Sequence, residues 1–169
     1  IEVLEKVQRA VRLGQDAFRR SHLDRVTMQA AVSILREFKR RLDSYRVQHI
    51  WTVATSAIRE SRNAEVFVDR VMMATGLEVH IIDGPLEGRL TVSALRSVLT
   101  SQAPSIGSQT LITEVGGGST MLTVLENGEI ETSQSLGLGS IRLQEVLGTM
   151  GLPSSQVVGL MRNEMGSVL

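Results

Sequence analysis

The stretch LITEVGGGSTMLTVLENGEI, residues 111–130, holds an apolar run ending in Glu114, three glycines at 116–118, then Ser119 and Thr120, a second apolar run and an Asn127-Gly128 pair. Apolar alternation on either side of the glycines reads as strands, and Asn-Gly is the two-residue hairpin signal in which both central residues take positive φ. The glycines lie between two strands, where a bare backbone can adopt positive φ and aim successive N–H groups at one point. An oxyanion fits such a turn. Gly116, Gly117, Gly118 and Ser119 are therefore the candidate phosphate-binding residues, with the Ser119 and Thr120 hydroxyls as further donors. Glu114 cannot bind phosphate directly, because like charges repel. It can hold a divalent cation that bridges to the phosphate, or order a water. A ligand-free hairpin is the alternative, but three adjacent glycines cost chain entropy that a hairpin alone does not require. The stretch lacks the Lys of a Walker loop and does not lead into a helix as a dinucleotide fingerprint does.

Outward from this turn, residues 110–115, 119–126 and 129–136 read as three consecutive antiparallel strands. A helix from about Ser140 to Leu147 and another from Ser154 onward follow. Upstream, the polar segment 101–109 with its Pro and Gly is a candidate boundary. Before it, helix and strand alternate. Asp24 is an N-cap for a helix over 25–46, with Ala31, Ile34, Leu35, Phe38, Leu42 and Tyr45 on one face. Residues 49–55, HIWTVAT, read as a short buried strand. Asn63 caps a helix whose inner face is Val66, Phe67, Val71 and either Met72 or Ala74, and Gly76 stands where a left-handed C-cap belongs. A strand over 77–82 precedes a helix that has Pro85 in its first turn and runs to about Thr100. Residues 1–13 fit a helical face and a strand equally. The alternation predicts an α/β fold with a parallel sheet over 1–108 and a second, antiparallel unit over 109–169.

The chain has 169 residues with 18 basic and 18 acidic side chains, so its net charge of zero gives no footprint for nucleic acid or anionic lipid. No apolar run reaches the length of a membrane span. There is no cysteine, hence no disulfide framework and no thiolate site. A cytoplasmic protein with neither nucleic-acid nor membrane partners is expected. Oligomeric state is not legible, and a homodimer is one compatible arrangement. Residue 1 is Ile rather than Met, so a trimmed chain is expected.

Two further motifs carry chemistry. In HIIDGPLEGRL, residues 80–90, Glu87 falls in the first turn of a helix that follows a strand. A carboxylate there is stabilised by the helix dipole, which is also a sufficient structural reason for its presence. In VATSAIRES, residues 53–61, Arg59 follows another strand end. Ligands of α/β sheets bind outside the carboxyl ends of strands, so Arg59 and Glu87 are expected to share one rim.

With these motifs in place, the chain resembles the exopolyphosphatase / guanosine pentaphosphate phosphohydrolase family. The matching pieces are VATSAIR (53–59), TGLEVHIIDGPLEGRL (75–90), VGGGST (115–120) and LGLGSIRLQE (136–145), in the family's order and spacing. The resemblance implies the actin-like ATPase superfamily, with two ribonuclease-H-like lobes around a phosphate-binding cleft. It implies hydrolysis of terminal phosphoanhydride bonds in inorganic polyphosphate or guanosine pentaphosphate, with Mg²⁺ or another divalent cation. On this mapping Glu87 is the catalytic base, Gly116–Ser119 the second phosphate loop, Arg59 the arginine near the cleft, and residues before RLGQDAF are extended.

Three departures accompany it. The family's first phosphate loop, an Asp-x-Gly-Ser-Asn-Ser type segment on the first strand, is absent, which predicts a fragment without the first strands and an inactive isolated chain. Glu114 stands where the family has Asp, and Met121 where it has Glu. A thioether is a poor Mg²⁺ ligand and accepts no proton at working pH. An active phosphohydrolase is the first reading. A non-catalytic polyphosphate or nucleotide sensor is the second, and a sugar-kinase-like ATPase the third.

Overall fold

The computed structural model describes residues 3–102, 109–148 and 151–168. Residues 3–12 form neither the helix nor the strand that their sequence allows. Two helices follow, α1 (Leu13–Arg20) and α2 (Arg25–Ser44). Then come β1 (Thr52–Ala54), α3 (Ser56–Arg59), α4 (Ala64–Thr75), β2 (Val79–Ile81) and α5 (Gly84–Gln102). β1 and β2 pair in parallel, Thr52 opposite Val79 and Ala54 opposite Ile81. The antiparallel half consists of β3 (Gln109–Val115), β4 (Thr120–Glu126) and β5 (Glu129–Leu136), followed by α6 (Ser140–Val146) and α7 (Ser154–Val168).

The first core lies where α1, α2 and α4 close over one face of the parallel pair. It contains Ala17, Leu23, Met28, Ala31, Val32, Ile58, Phe67, Val71, Leu77 and Val79. Leu23 and Val71 are fully buried. Burying side chains of this size contributes about 1.5–3 kcal/mol each. Leu23 sits in the connection between α1 and α2, so its backbone groups need partners from elsewhere. Asn63 supplies both. Its Oδ1 accepts from the Leu23 N–H at 2.9 Å, and its Nδ2 donates to the Leu23 carbonyl at 3.0 Å.

This corrects the expected capping. Asn63 does occupy the N-cap position of α4, but its side chain makes no cap hydrogen bond, being committed to Leu23. Asp24 likewise precedes α2 without capping it, because its carboxylate accepts from Arg20. Gly76 behaves as expected, with φ +70° and its N–H returned to the Met72 carbonyl at 2.8 Å.

Two other expectations need correction. Only Thr52–Ala54 of the 49–55 run pairs as strand, and Ile50, Trp51 and Val53 are exposed, because β1 has one strand neighbour among the described residues. The inner face of α4 is Phe67 and Val71, one turn apart, while Val66 and Met72 turn outward. The candidate boundary at 101–109 begins inside α5, and residues 103–108 of it lie outside the described residues.

The antiparallel sheet has the order β3-β4-β5. Its hairpin turns at Asn127 and Gly128 with φ +52° and +84°, the two positive values that a type I′ turn demands. Met121, Thr123 and Leu125 alternate along β4 onto one buried face, and α5 packs over β4 and β5. Gly88 permits that approach: a Cβ there would stand 2.5 Å from Ser133 Oγ. Met121, in the position expected to hold an acid, is a buried packing residue. Its sulfur accepts from Ser133 Oγ at 3.4 Å and lies beneath the turn of α5 that carries Gly88.

Candidate active site

Three helices close on the glycine turn, α1 through Phe18, α3 through Ser56 and α6 through its first amides, and the start of α5 meets α3 through Glu87 and Arg59. Asp83 caps α5, its Oδ1 accepting the Leu86 N–H at 2.8 Å. That fixes the first helical turn and with it Glu87, whose N–H returns to the Asp83 carbonyl at 3.0 Å. Glu87 and Arg59 meet: Arg59 Nη1 stands 3.4 Å from Glu87 Oε2 and donates to the Ile82 carbonyl at 2.6 Å. The shorter bond anchors the guanidinium to the end of β2, and the longer one sets the charge against the carboxylate. Arg59 Nε and Nη2 have no partner among the described residues.

One turn after Glu87 along α5, Thr91 donates to Glu114 Oε2 at 2.8 Å. Residues four apart share a helix face, so Glu87 and the Thr91–Glu114 pair lie along one side of α5. This joins the strand end before the glycines to the helix that carries Glu87.

The glycine turn is closed by the Gly116 N–H donating to the Ser119 carbonyl at 2.9 Å. Its other carbonyls are drawn to one side. The first amides of α6 reach them: Ser140 N–H to Gly116 O at 2.9 Å, and Ile141 and Arg142 N–H to Gly117 O at 2.9 and 3.0 Å. Arg142 Nε takes the Gly118 carbonyl at 2.6 Å. Across a trans peptide unit the N–H points opposite to the preceding C=O, and no cis peptide occurs among the described residues. Pulling back the carbonyls of 116, 117 and 118 therefore turns the N–H groups of 117, 118 and 119 the other way. Those three N–H groups have no hydrogen-bond partner among the described residues.

The reason for the glycines differs from the expected one. None of Gly116, Gly117 or Gly118 has positive φ. They are small because neighbours press on them. A Cβ on Gly117 would lie 3.1 Å from Ile141 Cδ1, and one on Gly118 would collide with Ser56 Oγ and stand 2.5 Å from Phe18 Cζ. Gly139 is required in turn, since its Cβ would run into the Gly117–Gly118 backbone. The Thr120 hydroxyl is not a free donor either, because it is bonded to the Leu138 carbonyl at 2.6 Å. Ser119 keeps a hydroxyl without a partner among the described residues.

The sequence reading named Glu87, Arg59, Glu114 and the turn, but missed Ser56, Thr91, Glu60 and Arg142, which surround them. Ser56 and Glu60 lie in VATSAIRES and Arg142 in LGLGSIRLQE, but nothing local in those segments marks these side chains as neighbours of the turn. No group of three or more His, Cys, Asp or Glu side chains arranged to hold a metal occurs among the described residues. Glu114 offers one carboxylate, too few ligands for a cation cage built from protein alone.

Three comparisons bear on identity. A bifunctional 3-dehydroquinate synthase/phosphatase of Fusobacterium nucleatum is 28% identical over 137 residues, 80% of this chain and 20% of that protein. A guanosine-5'-triphosphate,3'-diphosphate pyrophosphatase of Aliivibrio fischeri is 25% identical over 141 residues, 83% of this chain and 27% of that protein. The crystal structure of an exopolyphosphatase from Cytophaga hutchinsonii superposes with a TM-score of 0.79 at 26% identity, over 95% of this chain and 50% of that one. The chain thus spans about half of that solved structure and about a quarter or less of those two curated relatives. The sequence profile of the Ppx/GppA phosphatase family matches residues 1–169 from end to end. With that match and the α/β fold shared with the exopolyphosphatase structure, the chain belongs to the Ppx/GppA phosphatase family.

Proposed function

We propose that the full-length protein is a phosphoanhydride hydrolase that releases terminal phosphate from inorganic polyphosphate or guanosine pentaphosphate, and that residues 1–108 and 109–169 contribute to its two lobes. The observation that carries this reading is the orientation of the glycine turn. Its three carbonyls are held by α6, and the N–H groups of Gly117, Gly118 and Ser119 remain for an anion. Such preorganised donors are the main requirement of phosphoryl transfer, which needs positioning and charge stabilisation more than covalent chemistry.

On this reading the phosphate to be removed sits on the turn, with the free side of the Arg59 guanidinium as a further donor. Glu87 orients a water in line with the scissile bond and accepts its proton. The water oxygen bonds to phosphorus, the bridging P–O bond breaks, and the shortened chain leaves with the bridging oxygen. A magnesium ion held by Glu114 together with the phosphates would neutralise their charge. Met121 supplies neither proton acceptor nor metal ligand, so Glu87 is the carboxylate assigned to the water.

The test is phosphate release by the full-length protein from each substrate, with Glu87→Gln beside the wild type. The expected loss is about 10²–10⁴-fold in turnover, with tripolyphosphate affinity nearly unchanged. Wild-type binding without any release would assign the fold to sensing, and release that survives Glu87→Gln would remove Glu87 from the mechanism.

A further inference from the structure

The LGLGSIRLQE segment contributes more to this site than a matching pattern. Arg142 is a half-buried side chain that makes three contacts to three different parts of the chain. Its Nε donates to the Gly118 carbonyl at 2.6 Å. Its Nη2 pairs with Glu60 Oε1 at 2.5 Å. Its guanidinium carbon lies 4.2 Å from the centre of the Phe18 ring, a cation–π contact. Glu60 directly follows Arg59 at the end of α3, and Phe18 belongs to α1, which packs on α6.

We infer that Arg142 is a positioning residue: a strut that sets the orientation of the anion-binding turn and ties it to the helix that presents Arg59. This rests on the reading of the turn as the phosphate site. A planar guanidinium suits the task because its donors diverge in a fixed fork, so one side chain can hold a carbonyl and a carboxylate at once. Its action on the turn follows from the peptide geometry. The Gly118 carbonyl is the one that no α6 amide reaches, and it belongs to the same peptide unit as the Ser119 N–H. Without Arg142 that unit loses its only hydrogen bond from a side chain among the described residues, and the Ser119 N–H loses its fixed direction. The contact to Glu60 makes the turn and the end of α3 one mechanical piece.

A direct phosphate contact is the competing role for an arginine in this place, and the surroundings argue against it. Nε and Nη2 are occupied, one face of the plane is against Phe18, and Glu60 neutralises the charge. The two roles predict opposite signs for one substitution. If Arg142 were a ligand, Glu60→Gln would free its charge and tighten anion binding. If it is a strut, Glu60→Gln loosens the turn and weakens binding.

The experiment is calorimetric titration of the full-length protein with inorganic tripolyphosphate, at several ionic strengths and without divalent cation, with circular dichroism to verify folding. Arg142→Ala is expected to weaken binding about tenfold, in the range of one lost charged hydrogen bond. Glu60→Gln should weaken it severalfold, and Arg142→Lys, which cannot span both partners, should fall between. Salt dependence should stay that of the wild type, since no phosphate contact is lost. In ¹⁵N spectra the Ser119 amide should lose its response to tripolyphosphate in Arg142→Ala. Should Arg142→Ala fail to fold, Arg142→Lys and Glu60→Gln carry the same test. Tighter binding in Glu60→Gln, or Arg142 variants within twofold of wild type, would overturn the inference. No tripolyphosphate binding by the wild type, with Gly118→Val indistinguishable from it, would instead overturn the phosphate-site reading itself.

Discussion

Gly118→Ala adds one methyl group at the point where the glycine turn meets α3 and α1. The backbone of Gly118 is not in the left-handed region, so alanine meets no dihedral penalty there. The whole effect must come from space. The new Cβ would overlap Ser56 Oγ, lie 2.5 Å from Phe18 Cζ and 2.9 Å from Ser56 Cβ. Ser56 is 6% exposed, and Phe18 is held from behind by the Arg142 guanidinium, so neither wall retreats freely. Inserting a methyl group into such a site costs about 1–3 kcal/mol, and two unyielding walls put this case near the upper end. For a chain of this length each kcal/mol corresponds to roughly 2–4 °C in Tm, so a fall of about 6–12 °C is expected. The turn must also shift away from α3, taking the N–H groups of Gly117, Gly118 and Ser119 with it. Tripolyphosphate affinity should therefore fall by at least tenfold, while Gly76→Ala, whose Cβ meets no atom within 4 Å, lowers stability through its φ of +70° and leaves affinity unchanged. Thermal unfolding and calorimetry measure both quantities. Combining Gly118→Ala with Ser56→Gly removes one of the two walls and should recover part of the loss. A Gly118→Ala protein with wild-type Tm and affinity would refute the claim that this glycine is there for room.

Gly88→Ala should lower stability by about 1 kcal/mol, since overpacking against Ser133 Oγ at 2.5 Å outweighs the gain of alanine over glycine in a helix. Ser133→Ala leaves the new methyl only ordinary contacts but takes the hydroxyl partner from the buried Thr123, so the relief shows as coupling: Gly88→Ala should cost less in the Ser133→Ala background than in the wild type, as a urea double-mutant cycle would show. Asn63→Ala should cost about 2–4 kcal/mol, because it strands the N–H and C=O of the fully buried Leu23. Asn63→Asp should not rescue it, although aspartate is as good a helix cap, since it cannot donate to the Leu23 carbonyl. Equal stability of the aspartate variant and the wild type would show that Asn63 acts as an ordinary cap.

The elements that the sequence revealed best are those whose pattern is local. β3, β4 and β5 begin and end within a residue of where alternation puts them, because their spacing is set by period-two burial and by a turn with its own dihedral signature at Asn127-Gly128. The short helix α3 was not legible, since four residues carry no periodicity, and α1 was hidden by a glycine at its second position. β1 was read as longer and more buried than it is. Its composition reports a strand suited to a covered sheet, while pairing depends on which neighbours are present.

The glycine turn shows where local reading stops. Three adjacent glycines in a sequence say that Cβ atoms are not tolerated, and two physical causes produce that pattern. One is backbone freedom, which the residues themselves would display as positive φ. The other is crowding, which depends on residues far away in the chain: Phe18, Ser56 and Ile141 press on Gly117 and Gly118 from three different helices. The distinction has a functional consequence. A turn made permissive by glycine would be mobile and would have to be ordered by its ligand, at a cost in affinity. A turn wedged between α1, α3 and α6, with its carbonyls already bonded, would meet the proposed anion with its N–H groups in place. The same crowding explains why Gly139 accompanies the triplet at a distance of more than twenty residues. It gives α6 room to bring its first amides against the turn, so the residue just before α6 is part of the scaffold that holds the turn.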